Sequence, residues 1–108
     1  MMLNKPFISF GEVLWDVFPD GKKLGGAPLN FSYYFQEQGG NPKILSAVGN
    51  DEYGREILNE TRNLGIDTNF IGQVEKPTGI VDISLNENRH TFKIRRDTAW
   101  EYISYPNT

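Results

Sequence analysis
The chain has 108 residues, a length that allows one domain or part of a larger one. Its hydrophobic and charged fractions are ordinary for a soluble globular protein, and a net charge of −3 without a basic stripe argues against a nucleic-acid partner. No apolar run is long enough to cross a bilayer, and the absence of cysteine excludes disulfides and thiolate metal sites. The lack of cysteine, and of an apolar signal core in Met1–Pro6, fits the cytoplasm. His90 is the sole histidine, so neither a histidine-built metal site nor a Ser-His-Asp triad is expected.

Phe7-Ile8-Ser9-Phe10 is a short run of strand formers ended by Gly11, and is expected as a buried strand. Glu12–Phe18 continues as extended chain. Alternation sets Val13, Trp15 and Val17 on one side, and Leu14, Asp16 and Phe18 on the other. Asp16 is thus an acid in apolar company, which is unfavourable unless something pairs with it. The plainer alternative is a turn or cap aspartate bonded to nearby backbone. Pro19-Asp20-Gly21-Lys22-Lys23 is turn chemistry and predicts a hairpin returning towards Gly25.

Leu24-Gly25-Gly26-Ala27-Pro28-Leu29-Asn30 reads as a tight glycine turn feeding the first turn of a helix. Gly25 and Gly26 let another molecule approach the backbone, Pro28 suits the first helical position, and Asn30 falls where free N–H groups and the positive dipole end are found. A hydroxyl-rich or anionic ligand fits such a place; a connector whose glycines serve packing alone fits it too. Phe31, Tyr34 and Phe35 form the expected core stripe, and Gly39-Gly40 ends the helix. Lys43–Val48 reads as a strand covered on both faces. Asn50 or Asp51 caps a second helix, Ile57, Leu58, Thr61 and Leu64 line its inner side, and Gly65 stops it. Phe70–Val74 gives a third strand, so right-handed crossovers and an α/β layered fold follow.

The pattern then changes. Gly79–Leu85 alternates, Asn86-Glu87-Asn88 turns, and Arg89–Ile94 alternates again, which predicts an antiparallel hairpin with His90, Phe92 and Ile94 on one face. Together with Val13–Phe18 it makes a small sheet outside the main one, the place for a lid over a ligand. His90 is expected as a surface or lid-packing residue, Arg95-Arg96-Asp97 as solvated surface, and Thr98–Ile103 as the start of another helix.

Gly25-Gly26-Ala27-Pro28-Leu29-Asn30-Phe31-Ser32, then Gly39 and Gly49, resemble the N-terminal signature of the ribokinase-like (PfkB) sugar kinases. The resemblance extends to Gly11–Asp16, to Ser46–Asp51 with Gly54, to Leu64-Gly65-Ile66-Asp67-Thr68 and to Pro77-Thr78-Gly79; Ala99-Trp100-Glu101 is similar to a segment of the fructokinases. It implies the N-terminal part of a three-layer, Rossmann-like α/β sandwich, with lid segments at about residues 12–24 and 78–96. It further implies phosphoryl transfer from ATP with Mg2+ to a sugar hydroxymethyl group, fructose being favoured by resemblance only. Substrate-binding roles pass to Asp16, Gly25, Gly26 and Asn30: a carboxylate accepts two hydroxyls, an amide donates and accepts, and glycine lets the ring approach. The lid of such enzymes often forms a dimer contact.

The family's second signature, an Asp-Thr-x-Gly-Ala-Gly-Asp type motif supplying the base and anion hole, is absent, as are the nucleotide segments and the Asn-x-x-Glu type motif linked to magnesium. Asp51 is better read as a cap than as a substitute base. No catalytic, metal or cofactor residue is therefore expected here, and the chain alone is expected to be inactive. Two readings stand: the N-terminal portion of a fructokinase-like enzyme, or a non-enzymatic module that binds sugar weakly or self-associates. A dinucleotide-binding oxidoreductase is poorer, because the glycines lack the G-x-G-x-x-G order. A partial parallel sheet leaves an edge and an apolar face uncovered, so self-association or aggregation is expected.

Overall fold
The computed structural model describes residues 6–103. The expectations for Met1–Lys5 and Ser104–Thr108 lie outside them. In chain order the elements are β1 (Pro6–Phe10), β2 (Leu14–Phe18), β3 (Gly21–Gly25), α1 (Ala27–Glu37), β4 (Asn41–Gly49), α2 (Glu52–Asn63), β5 (Ile71–Val74), β6 (Gly79–Asn86), β7 (Arg89–Ile94) and a 3-10 turn at Ala99–Tyr102. They form two sheets. The body is a parallel sheet in the order β1-β4-β5, and the lid is a four-stranded sheet in the order β3-β2-β6-β7.

Each helix ends where the sequence supplies the means. Pro28 sits in the first turn of α1 behind Gly26, which takes a positive φ of 106°. Gly39 follows α1 at φ 88°, and the Gly40 N–H returns to the Phe35 carbonyl, a glycine-dependent C-terminal closure. Asp51 caps α2 by accepting from the Gly54 N–H. Both helices lie on one face of the body sheet, as right-handed crossovers advancing in one direction require. Leu29 of α1 and Ile57 and Leu58 of α2 share one buried cluster with Ile44 and Val48 of β4 and with Val13, Trp15 and Ile80, which reach in from the lid side.

The lid is two hairpins joined by the parallel pairing of β2 with β6. The β6–β7 turn needs two residues at positive φ, and Glu87 (48°) and Asn88 (65°) adopt it. The lid projects from the body, which gives overall extents of 46 × 32 × 19 Å and a radius of gyration of 14.5 Å, above the roughly 13 Å of a compact domain of this length.

Four local expectations need correction. The stripe of α1 facing the sheet is Pro28, Leu29, Ser32 and Phe35; Phe31 and Tyr34 are exposed. The helix is phased by Pro28 and Leu29 packing at its start, which turns Tyr34 outward. Leu64 stands at the C-cap of α2 and is exposed rather than in the stripe. β1 is not buried on both faces, because Ser9 turns towards α1 and meets Ser32 while Ile8 and Phe10 face outward and are exposed. Residues 99–102 form one 3-10 turn packed against β4 and β5, not the start of an α-helix.

Candidate functional site
The chain enters and leaves the first lid hairpin through glycines. Gly11 follows β1, and a side chain there would crowd Pro28 at the head of α1. Gly26 stands between β3 and α1, where a Cβ would overlap the Glu12 carbonyl oxygen. The two crossings therefore pack backbone against backbone, which only glycine permits at Gly26.

Between them lies Asp16. The register pairs Leu14 with Gly25, and Asp16 with Lys23 and with Val81, so Leu14, Asp16 and Gly25 occupy one face of the lid. A Cβ on Gly25 would lie 2.5 Å from Asp16 Oδ2 and 3.3 Å from Oδ1. The carboxylate thus rests over bare backbone, in space that any other residue at position 25 would fill. Asp16 is half-buried, and among the described residues no hydrogen bond or ion pair meets it. Burial alone pushes its carboxyl above the ordinary carboxylate range. No backbone N–H among the described residues holds it, as a turn or cap aspartate requires.

Asn30 lies one helical turn beyond Gly26, to whose carbonyl its backbone N–H donates (3.2 Å). It is exposed and lines a hollow of about 200 Å³ with Leu24, Leu29, Tyr33 and Leu64. Leu24 pairs with Trp15 and so faces the opposite side of the lid from Asp16. The structure brings Asp16, Gly25 and Gly26 together at the mouth of α1, and sets Asn30 on the first turn leading away from it.

Two features were not read from the sequence. Gly79 has no side chain because the Trp100 ring lies against it; a Cβ there would be 2.9 Å from Trp100 Cδ1. Trp100 also lines a cavity of about 330 Å³ with Phe10, Gly11, Glu101 and Ile103, at the carboxyl end of β1, and its buried Nε1 has no acceptor among the described residues. The second feature is Asp51, which does more than cap. Its Oδ2 accepts the Thr78 N–H (3.0 Å), and its Oδ1 accepts the Thr78 hydroxyl (2.5 Å) and the Gly54 N–H (2.8 Å). Burial opposes ionisation of Asp51, but these bonds outweigh it and hold the carboxyl low. Pro77-Thr78-Gly79 enters the sequence reading only through the family resemblance; the acceptor of Thr78, 27 residues away, was not legible.

His90 is exposed beside Phe92, with ring centroids 6.3 Å apart. Arg95 is not merely solvated, since its guanidinium donates two bonds to the Asp82 carboxylate. Among the described residues no group of three or more His, Cys, Asp or Glu side chains converges to hold a metal ion, and no helix is long and apolar enough to cross a membrane.

The profile of the pfkB family carbohydrate kinases matches residues 4–103. An uncharacterized sugar kinase of Pyrococcus horikoshii is 34% identical over 80 residues, covering 73% of this chain and 26% of that protein. Its crystal structure in complex with ATP matches with a TM-score of 0.78 at 31% identity, over 87% of this chain and 35% of that one. A fructokinase of Klebsiella pneumoniae is 28% identical over 102 residues, or 86% of this chain and 33% of that protein. The apo fructokinase of Vibrio cholerae has a TM-score of 0.84 over 93% of this chain and 37% of its own; at 23% identity it shows the shared fold alone. The chain spans about a quarter to a third of the length of these curated relatives.

Proposed function
The chain belongs to the pfkB family of carbohydrate kinases, and we propose that it forms the sugar-binding part of an ATP-dependent kinase that phosphorylates a sugar hydroxymethyl group, with fructose the favoured substrate. The observation that carries this reading is the Asp16 carboxylate, half-buried, met by no donor, and resting over the bare backbone of Gly25. A desolvated acceptor of this kind is matched by a ligand that brings its own donors. Two neighbouring hydroxyls supply them, one to each carboxylate oxygen, while the absent side chain of Gly25 leaves room for the ring. An analogue lacking one of those hydroxyls leaves the carboxylate unpaired and is rejected.

In this reading Gly26 closes the wall of the site and the lid keeps water from the bound sugar; Asn30, exposed beside Leu24, has its substrate-binding amide assigned by resemblance alone. Magnesium ATP supplies the transferred phosphoryl group in the complete enzyme. The residues described here do not make a metal site, and no transfer step is assigned to them; the chain alone is expected to turn over no ATP. Residence in the cytoplasm belongs to the same proposal.

A second reading is favoured by one observation and is compatible with the first. Leu85, Phe92 and Ile94 share the Asp16 face of the lid and are each more than half exposed (58%, 65% and 59%). Such a face suits self-association with a second copy. Calorimetric titration of the folded chain with fructose, ribose and a nucleoside tests the sugar assignment. Saturable heat with fructose supports it, and the absence of any sugar heat from a chain with native circular dichroism overturns it.

A further inference from the structure
Four chain crossings join the lid to the body, and they are not alike. Those before β2 and after β3 run through Gly11 and Gly26 and are fastened through the backbone, the Gly11 N–H donating to the Leu45 carbonyl (3.3 Å) and the Asn30 N–H to the Gly26 carbonyl (3.2 Å). The crossing into β6 is fastened through side chains. Asp51 receives three hydrogen bonds, two of them from Thr78, and the Thr78 hydroxyl in turn accepts the Gly49 N–H (2.8 Å). The end of β4, the first turn of α2 and the root of β6 are thus tied to one carboxylate–hydroxyl pair. Two glycines make room for it: a Cβ at Gly49 would lie 2.6 Å from Asp51 Oδ2, and one at Gly54 would lie 2.9 Å from Thr78 Oγ1. The crossing after β7 is tied to the same root, because the Ala99 N–H donates to the Pro77 carbonyl (2.7 Å) and Asp97 pairs with Lys76.

We propose that Asp51 is a positioning residue that acts through Thr78 to fix the lid, and with it Asp16, over the mouth of α1. The path is short. Thr78 precedes Gly79, Gly79 pairs with Leu14, and two residues further along the same pairing Val81 faces Asp16. The first turns of α2 hold the neighbouring strands as well: Trp15 Nε1 of β2 donates to the Tyr53 carbonyl (3.0 Å), and Lys22 of β3 pairs with Glu56 (3.0 Å). The lid is therefore held by side-chain bonds on the α2 side and by backbone bonds alone on the glycine side, and displacement of Asp16 works against the Thr78 clamp together with the Trp15 and Lys22 contacts. The consequence for ligand affinity rests on the sugar-site reading above; the clamp itself does not.

Hydrogen–deuterium exchange of the ligand-free 108-residue chain tests the clamp directly. In Thr78→Val the amides of β2 and β6 are expected to exchange about tenfold or more faster relative to those of Ile44–Ala47 in β4, the effect of losing the two hydrogen bonds of the Thr78 hydroxyl, to Asp51 and from the Gly49 N–H. Thr78→Ser, which keeps the hydroxyl, is expected to restore the wild-type ratio. Asp51→Asn, which presents an amide N–H to the Thr78 N–H, is expected to repeat the Val result and serves where Thr78→Val does not fold. An unchanged lid-to-β4 ratio overturns the proposal, as does an equal rise in lid and β4 or a failure of Thr78→Ser to rescue. Fructose titrated into the same variants is expected to bind about tenfold more weakly in Thr78→Val. If the wild-type chain binds no fructose, the sugar reading fails while the exchange ratio still decides the clamp.

Discussion

Asp16→Asn is expected to make the chain more stable and to abolish its affinity for sugar. Burial raises the folded-state pKa of Asp16 above its ordinary 3.8. The folded chain then holds that proton to higher pH than the unfolded chain does, so stability falls as pH rises from about 3.8 through the folded value, and levels off above it. At neutral pH the charge is a net penalty, because no donor or cation offsets the desolvation. Solvent still reaches the carboxylate and screens it, which limits the gain on neutralisation to roughly 0.5–1 kcal/mol. For a chain of this size that is a rise of about 2–8 °C in Tm. In the sugar complex, by contrast, the carboxylate accepts two charge-assisted bonds worth at least about 1.5 kcal/mol each, so the amide should lower affinity about a hundredfold or more. Thermal melts at pH 7 and pH 3, with calorimetric titration of fructose at pH 7, read both effects. The Tm advantage should vanish at pH 3, below the unfolded pKa. A variant that melts lower than wild type at pH 7 would show that a donor does hold Asp16, and undiminished fructose binding would remove the acid from the site.

Gly54→Ala sets helix propensity against packing. Alanine inside a helix normally gains about 1 kcal/mol over glycine, but here its Cβ overlaps the Gly49 carbonyl oxygen and crowds Thr78; a net loss of roughly 1–3 kcal/mol is expected in urea unfolding, and a gain would refute the crowding. Asp51 should make the chain acid-labile. Its folded pKa is below 3.8, so its contribution is complete above that value and is lost as pH falls through the lower folded value; the urea midpoint followed towards pH 2 should drop in wild type and stay flatter in Asp51→Asn. Phe92→Asp with Ile94→Lys should convert a self-associating chain to a monomer in sedimentation velocity, and a wild-type chain that is monomeric throughout would discard association through the lid.

Local chemistry in the sequence was enough for most of the fold. Strand runs, the Gly39-Gly40 stop, the Asn50 or Asp51 cap and the Asn86–Asn88 turn each act over a few residues, and the seven strands and two α-helices of the described residues stand where those signals are, whereas Ala99–Tyr102 made a 3-10 turn in place of a helix start. Helix phase was less legible. Three aromatics at i, i+3 and i+4 suggested the core side of α1, but the helix is oriented by Pro28 and Leu29 where it leaves the lid, so Leu29, Ser32 and Phe35 turn inward. At the candidate site, alternation in β2 correctly set Asp16 beside Leu14 and Phe18. Its meeting with Gly25 depends on hairpin register, which a turn of uncertain length leaves open. The Asp51–Thr78 bonds and the Trp100 ring against Gly79 join residues 27 and 21 positions apart, respectively, and no periodicity reports such pairs.

The lid has two faces of opposite character, and the division bears on how its proposed roles coexist. One carries Asp82 paired with Arg95, together with Lys93, and is satisfied by its own charges. The other runs from Leu14 and Gly79 at the root, through the row of Lys23, Asp16, Val81 and Ile94 and the pair Ile83 and Phe92, to Leu85 and His90. Its root sets Asp16 between Val81 and Lys23, whose ammonium lies over the Phe18 ring (5.9 Å to its centroid), an arrangement that complements a sugar ring: hydroxyls at the edge and C–H groups across the face. Its far end is exposed and largely apolar, Leu85 and Phe92 beside His90, and complements another surface like itself. The two ends are joined by β6 and β7, and the root of β6 is held by Thr78. Sugar affinity and self-association should therefore separate by mutation: Asp16→Asn should remove the first without the second, and Phe92→Asp, which lies beyond the Asp16 row, the second without the first. Should the Phe92 change also abolish fructose binding in a chain that remains folded, the sugar would have to be held between two copies, and a site built from one chain would be untenable.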